Sequence, residues 1–402
     1  MKKGWPTKTL AEVCQIKPPK SEARETVSAS SLVSFLPMED MGIDVKLVQA
    51  TQTKPLSAVV GSYTYFADGD VLLAKITPCF ENGKLGIADG LKNGIGFGSS
   101  EYFVFRPDPT VSKEWLYYFL SRDTFRVEGA ARMSGAVGHK RVSKEFIEDY
   151  PIPVPPLAEQ QRIVGLLDEA FEGLATAKAT AEKNLQNARA LFESHLQSVF
   201  TQRGPGWVEK PLGDLCSIAR GGSPRPIQSF LTTASDGFNW VKIGDATASG
   251  KYIYTTEQKI IREGATRSRI VHAGDFLLSN SMSFGRPYIM QTTGCVHDGW
   301  LVLSDYASQL DQDYLYLVLG SQFMFQQFDR LAAGSTVRNL NIELASRVEV
   351  PVPPLKQQRD IAQHLDAISE VTQRLARLYE RKHAALAALK KSLLHQAFSG
   401  GL

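Results

Sequence analysis

Pro151-Ile-Pro-Val-Pro-Pro-Leu-Ala-Glu-Gln-Gln-Arg-Ile163 returns late in the chain as Val350-Pro-Val-Pro-Pro-Leu-Lys-Gln-Gln-Arg-Asp-Ile361. Alternating prolines hold the backbone extended and forbid a helix until the chain has passed them. Beyond them, apolar residues fall three and four apart at Ile163, Leu167, Ala170, Leu174, Ala177, Ala181, Leu185, Ala188, Phe192 and Val199. The second copy continues with Ile361, Leu365, Ile368, Leu375, Leu378, Leu386, Leu389 and Leu393. A three-four pattern of this length predicts a coiled-coil seam. Each helix of roughly 40 residues spans about 60 Å at the α-helical rise. Neither helix is apolar all round, so each needs a partner. The other copy is the most economical one; two helices lying separately on their own domains is the alternative.

The offset between copies is 355 − 157 = 198 at the leucines and still 398 − 200 = 198 at Phe398 and Phe200, so the helical segments have equal length. Upstream, Trp5-Pro-Thr-Lys-Thr-Leu-Ala-Glu-Val-Cys-Gln-Ile16 is echoed by Trp207-Val-Glu-Lys-Pro-Leu-Gly-Asp-Leu-Cys-Ser-Ile218, at 207 − 5 = 202. Gly69-Asp-Val-Leu-Leu73 is echoed by Gly274-Asp-Phe-Leu-Leu278, at 274 − 69 = 205. An offset that drifts in the globular parts and holds in the helices describes two domains with a shared frame and different loops, joined to spacers of fixed length. The expected fold is α+β: two pseudo-repeated α/β domains, 1–150 and 204–350, separated by long antiparallel coiled-coil helices in 151–203 and 351–402.

Within the first domain, Ser62–Phe66, Val71–Leu73 and Tyr102–Phe105 read as strands and Lys113–Leu120 as a short amphipathic helix. Trp300–Leu303 and Asp313–Leu319 repeat that order in the second. Gly and Pro in Thr201-Gln-Arg-Gly-Pro-Gly-Trp207 stop the first long helix. The second stops at Ser399-Gly-Gly-Leu402.

A chain of 402 residues with 43% hydrophobic and 22% charged residues is ordinary for globular domains. Neither a signal peptide nor an apolar run long enough for a membrane span is evident, so a cytoplasmic location is expected. Cys14, Cys79, Cys216 and Cys295 stand far apart without zinc-type spacing and read as reduced, mostly buried thiols. His139, His272 and His297 have no second ligand at helical or hairpin spacing, so no metal is expected. A net charge of +3 excludes a polycation of the histone type, and any nucleic-acid surface must be local.

These features resemble the specificity subunit of Type I restriction-modification systems over essentially the whole chain. In that family two target-recognition domains alternate with a central and a distal helical region, each introduced by Pro-Pro-Leu-x-x-Gln. Pro155-Pro-Leu-Ala-Glu-Gln160 matches in full, while Pro353-Pro-Leu-Lys-Gln-Gln358 has Gln357 where the family usually has Glu. The resemblance implies a non-catalytic subunit that reads a bipartite double-stranded DNA target. Two methyltransferase subunits carrying S-adenosylmethionine dock on it, motor-nuclease subunits using ATP and magnesium join for cleavage, and adenine N6 is the methylated atom. No cofactor is expected on this chain.

The residues agree with an absence of catalysis. Neither an Asp/Asn-Pro-Pro-aromatic tetrapeptide for a flipped base nor a Gly-x-x-x-x-Gly-Lys-Ser/Thr phosphate loop occurs. Gly94-Ile-Gly-Phe-Gly98 and Gly221-Gly222 lack the following helix of a dinucleotide site and are expected to be turns. A methyltransferase fused to its own recognition domains and a protein-only coiled-coil scaffold are the competing functions.

DNA reading needs donors and acceptors on loops at groove depth and cations facing phosphates. The first domain offers Lys75, Thr77, Asn82 and Lys84 in the loop after Val71–Leu73, and the second offers Ser279, Asn280, Ser281 and Arg286. A second pair of clusters contains His139, Lys140 and Arg141, and Thr336, Arg338 and Asn339. Arg220 and Arg225 flank a third candidate. An ordinary polar surface loop is the alternative for each.

Overall fold

The computed structural model describes residues 5–136, 138–280, 285–332 and 340–402. Contacts divide the chain into two compact units, Met1–Ala181 with Arg381–Leu402, and Glu182–Glu380. The two long helices, Leu157–Thr201 (the central helix) and Leu355–Ser399 (the distal helix), each contain 45 residues and each contribute to both units. In the first unit Ile163, Val164 and Leu167 of the central helix share a core with Leu394, Ala397 and Phe398 of the distal helix. In the second, Leu196 and Phe200 share a core with Ala362 and Leu365. Start packs on end in both, so the helices run antiparallel.

The repeated sequence anchors have the same physical roles in both units. In the first, a five-stranded sheet has the order Cys14–Ile16, Tyr102–Pro107, Val71–Ala74, Leu85–Ala88, Leu47–Val48. In the second, the order is Ser217–Arg220, Trp300–Ser304, Phe276–Ser279, Pro287–Met290, Tyr252–Ile253. The last pair of each sheet is parallel. Each unit also has another sheet around a parallel pair, Leu32–Leu36 with Ile95–Gly98 and Phe238–Val241 with Gly294–Val296.

The Gly-Asp anchors are turns: Gly69 and Gly274 adopt φ of 91° and 96°, where a side chain is disfavoured. The next carboxylate accepts a backbone N–H three residues back, Ala67 N to Asp70 at 2.8 Å and His272 N to Asp275 at 2.8 Å. The tryptophan anchors meet aromatic rings of the short helices edge-on, Trp5 on Trp115 at 6.0 Å and Trp207 on Tyr314 at 6.4 Å. Cys14 and Cys216 are buried, which pushes both thiols up to about 12. All four cysteines are free thiols.

The proline exits form the strands Pro151–Pro153 and Glu349–Val352, paired with Thr7–Thr9 and Val208–Pro211 respectively. Their carbonyls are captured by the short helices Lys113–Leu120 and Gln312–Gly320: Trp115 Nε1 donates to Pro153 O and the Tyr314 hydroxyl to Pro351 O.

Two expectations need correction. Ile95–Gly98 is a buried strand rather than a turn; its glycines make room, since a Cβ on Gly96 meets the Phe66 ring at 2.1 Å. Gly221 and Gly222 are not a turn either. They continue the backbone ladder, donating to Trp300 O and Val296 O, and a Cβ on Gly221 lies 2.0 Å from His297 O. Among the described residues, no helix is long and apolar enough to cross a membrane.

Candidate nucleic-acid interface

In the first unit two candidate loops far apart in sequence form one surface. Lys75 follows the strand Val71–Ala74; its N–H donates to Glu101 O at 2.9 Å and its carbonyl accepts from Val142 N at 3.0 Å. Ile76 bridges to Arg141, and Thr77 N donates to Lys140 O at 2.9 Å. Ser134 and Arg141 exchange two backbone bonds, closing the loop that carries His139 and Lys140. At Gly135 φ is 126° and a Cβ sits 2.9 Å from His139 O, so this tight loop needs glycine.

Glu101 organises the charges on this surface. Arg141 donates to both carboxylate oxygens, at 2.9 and 2.8 Å, and the Lys75 ammonium lies 4.0 Å away. The Arg141 hydrogen bonds hold the Glu101 carboxyl below its ordinary range. Partial burial lowers the Lys75 ammonium, while Glu101 opposes that shift. Such a two-point grip presents the guanidinium in a defined plane. His139, Lys140 and Asn82 are exposed. Thr77 donates to Glu81 at 2.8 Å, and Lys84 turns back to bond Met38 O at 2.6 Å.

The second unit uses the same backbone frame. Asn280 N donates to Gly299 O at 3.1 Å and Asn280 O accepts from Leu340 N at 2.9 Å, as Lys75 does with Glu101 and Val142. What hangs on the frame differs. The Asn280 side chain is buried and donates to Asp298 O at 2.8 Å; buried Ser279 accepts from Arg286 N at 3.1 Å. Asp298 also binds Ser223 at 2.7 Å and Arg225 at 3.2 Å through its carboxylate, and Arg220 at 3.1 Å through its carbonyl. The Ser223 hydroxyl is the main reason its carboxyl lies below the usual range. Arg220, Arg225 and Arg286 are exposed.

The glycine-flanked Arg220–Arg225 segment and the Asn280 loop thus meet at Asp298. Ser279 and Asn280, expected as DNA contacts, are buried and bond Arg286 N and Asp298 O; the Lys84 ammonium likewise bonds a backbone carbonyl. Ser281, Thr336, Arg338 and Asn339 lie outside the described residues. Glu101 and Asp298 escaped the sequence reading, because an acidic residue just before a strand carries no signal until its cationic partners are brought beside it.

The profile described as Type I restriction modification DNA specificity domain matches residues 2–185 and 205–380. The chain is 39% identical over 162 residues to the Type I restriction enzyme EcoAI specificity subunit of Escherichia coli. That alignment spans 40% of this chain and 27% of the relative, well short of the relative's length. It is 22% identical over 352 residues to the putative MjaX specificity subunit of Methanocaldococcus jannaschii, covering 83% of this chain and 78% of that one. Among solved structures, a chain from a type I R-M system, described in terms of complex assembly and conformational transition, matches with a TM-score of 0.81 at 21% identity, over 100% of this chain and 99% of that one. The HsdS subunit of Thermoanaerobacter tengcongensis matches with 0.68 at 20% identity, over 100% and 98%. These two likenesses concern the fold.

Proposed function

The chain belongs to the Type I restriction-modification DNA specificity family, and on that premise we propose that it reads a bipartite double-stranded DNA target and scaffolds the subunits that act on it. Recognition domains 1–150 and 204–350 each read one half-site, and the helical segments 151–203 and 351–402 carry the spacing and two pseudo-equivalent docking surfaces for methyltransferase subunits. Those partners bring S-adenosylmethionine, and motor-nuclease subunits bring ATP and magnesium. The chain itself makes no bond and works in the cytoplasm.

One observation carries this reading: a common backbone frame presents different side chains at equivalent positions, Lys75 and Glu101 in one unit, Asn280 and Gly299 in the other. A frame that repeats while its exposed chemistry varies suits two readers of different sequences. Lys75, Lys140, Arg141 and the exposed His139 and Asn82 face the first half-site; Arg220, Arg225 and Arg286 face the second. Thr77 and Lys84 shape the first loop, and Ser279 and Asn280 anchor the end of the strand Phe276–Ser279 in the second unit. Ser281, Thr336, Arg338 and Asn339 are proposed as contacts from sequence alone.

The test is incubation of the purified chain with labelled S-adenosylmethionine and DNA, alone and with its methyltransferase subunit. Methyl transfer to a bipartite site only in the complex is expected. Transfer by the chain alone makes it a fused enzyme, and a chain and complex that shift no duplex DNA make it a protein-only scaffold.

A further inference from the structure

Asp44-Val45-Lys46 grips both long helices from the globular part of the first unit. The Lys46 ammonium lies 2.6 and 2.7 Å from the two carboxylate oxygens of Asp168 on the central helix. Two residues earlier, the Asp44 carboxylate accepts from Lys390 of the distal helix at 2.8 Å. The Tyr118 hydroxyl bonds Asp168 as well, Lys46 lies 5.0 Å over the Tyr118 ring, and Lys390 lies 5.5 Å over Phe171. A cleft of about 650 Å³ opens beside these contacts. The neighbouring Ile43, Val45 and Leu47 are exposed, so at this edge the ion pairs hold the segment to the helices.

The same segment is bonded to the candidate DNA loop. Ile43 bridges to Lys84, the last residue of that loop, and Lys46 O accepts from Ile87 N at 2.8 Å. Each helix is therefore linked through one short side-chain contact to the strand that closes the loop. Among the described residues, the second unit shows no such grip. Lys251 is the counterpart of Lys46, since its carbonyl accepts from Ile289 N at 2.9 Å. Its ammonium pairs with Asp313 of the short helix at 2.7 Å, and Asp366, the counterpart of Asp168 at 366 − 168 = 198, acts on it only from a distance. Ser249 stands where Asp44 does, at 249 − 44 = 205, and its hydroxyl bonds Asp245 O within its own helix.

We propose that Asp44 and Lys46 form a two-point clamp that sets the pitch of the first domain's DNA face on the helix pair, and thereby enforces the length of the unspecified spacer. This rests on the bipartite-reader function above. The two are positioning residues, with their side chains bonded to the helices. Two ion pairs from neighbouring residues to two different helices resist rotation of the domain, whereas a domain held by one of them alone can swing to meet a half-site displaced by one base pair.

The experiment co-expresses the chain with its methyltransferase subunit in cells carrying a plasmid library in which the spacer is one base pair shorter, native or one longer, and reads methylation by sequencing. The variants are Lys46→Met, Asp44→Asn, the charge exchange Lys46→Glu with Asp168→Lys, and Lys251→Met. Lys46→Met and Asp44→Asn are expected to raise methylation at the altered spacers about two- to fivefold relative to the native one, the scale of one ion pair. Neither changes the bases read in either half-site. The charge exchange restores the native profile, and Lys251→Met leaves it unmoved. Asp44 is exposed, so its variant folds even where Lys46→Met does not. A native profile in Asp44→Asn and in folded Lys46→Met overturns the clamp while the function stands. A wild-type complex that methylates no bipartite site overturns the function, and the clamp's role falls with it.

Discussion

Gln160 and Gln358 show what the glutamine of the repeated Pro-Pro-Leu-x-x-Gln motif does physically. Both amides are fully buried. Gln160 accepts from Ser112 N at 2.9 Å and donates to Thr110 O and Pro155 O at 2.8 Å each; Gln358 accepts from Asp311 N at 2.8 Å and donates to Gln309 O at 3.0 Å and Pro353 O at 2.8 Å. Each ties the first turn of a long helix to the loop that starts a short one. Replacing Gln160 by Leu strips three backbone groups of this partner, of which only Pro155 belongs to a buried residue, and is expected to cost about 1 to 3 kcal/mol, read as a lower urea midpoint. His297 is a second sensitive residue. Its imidazole is half-buried between Trp240 and Trp300 and accepts from Gly299 N at 2.9 Å, and burial lowers its pKa despite the nearby Asp298. The unfolded chain therefore takes up this proton first. Stability linked to His297 is full above its ordinary range near pH 6.5 and declines as pH falls toward the lower folded value. Thermal unfolding at pH 7.5 and 5.5 is expected to reveal this decline, and His297→Asn, which keeps an acceptor for Gly299, to lessen it.

At the scale of elements, the ends of the helices matter as much as their seams. Phe398, near the end of the distal helix, lies 4.4 Å from Trp115 and 5.3 Å from Phe119, completing the core of the first unit. Phe200, its counterpart on the central helix, lies 5.9 Å from Tyr314 in the second. The equal offset between the two phenylalanines was visible in the sequence, but the rings they meet were not, because each packs against a helix far away in the chain. Phe398→Ala is expected to destabilise the first unit by about 3 to 5 kcal/mol in denaturant melts, with the second unit's transition little moved. The helix lengths carry a different expectation. Inserting four residues after Ala181 and four after Tyr379 adds about one turn, roughly 6 Å, to both helices. On B-DNA that is about two base pairs, so methylome sequencing is expected to find a longer spacer or no bipartite site. Retention of the original spacer at full activity removes the helices as the ruler.

For the whole molecule, duplication means one frame carrying two independent faces. Exchanging residues 1–150 for another recognition domain is expected to change one half of the methylated target and leave the other intact; a change in both halves refutes independent reading. The chain's periodicity determined the helices, and its repeated anchors determined the duplication. Prolines, a Gly-Asp turn and a three-four apolar pattern act over a few residues, so their consequences are local and readable. Pairing was expected from two helices that each lacked a partner. Which side chains the loops turn outward was decided only by tertiary structure. Lys84 and Asn280 looked equally available in the sequence, yet one meets Met38 O and the other Asp298 O. Glu101 and Asp298 became organisers only when strands brought distant arginines beside them. A polar side chain's role depends on which partner lies within about 3 Å of it, and that partner is supplied by the fold, not by its neighbours in sequence.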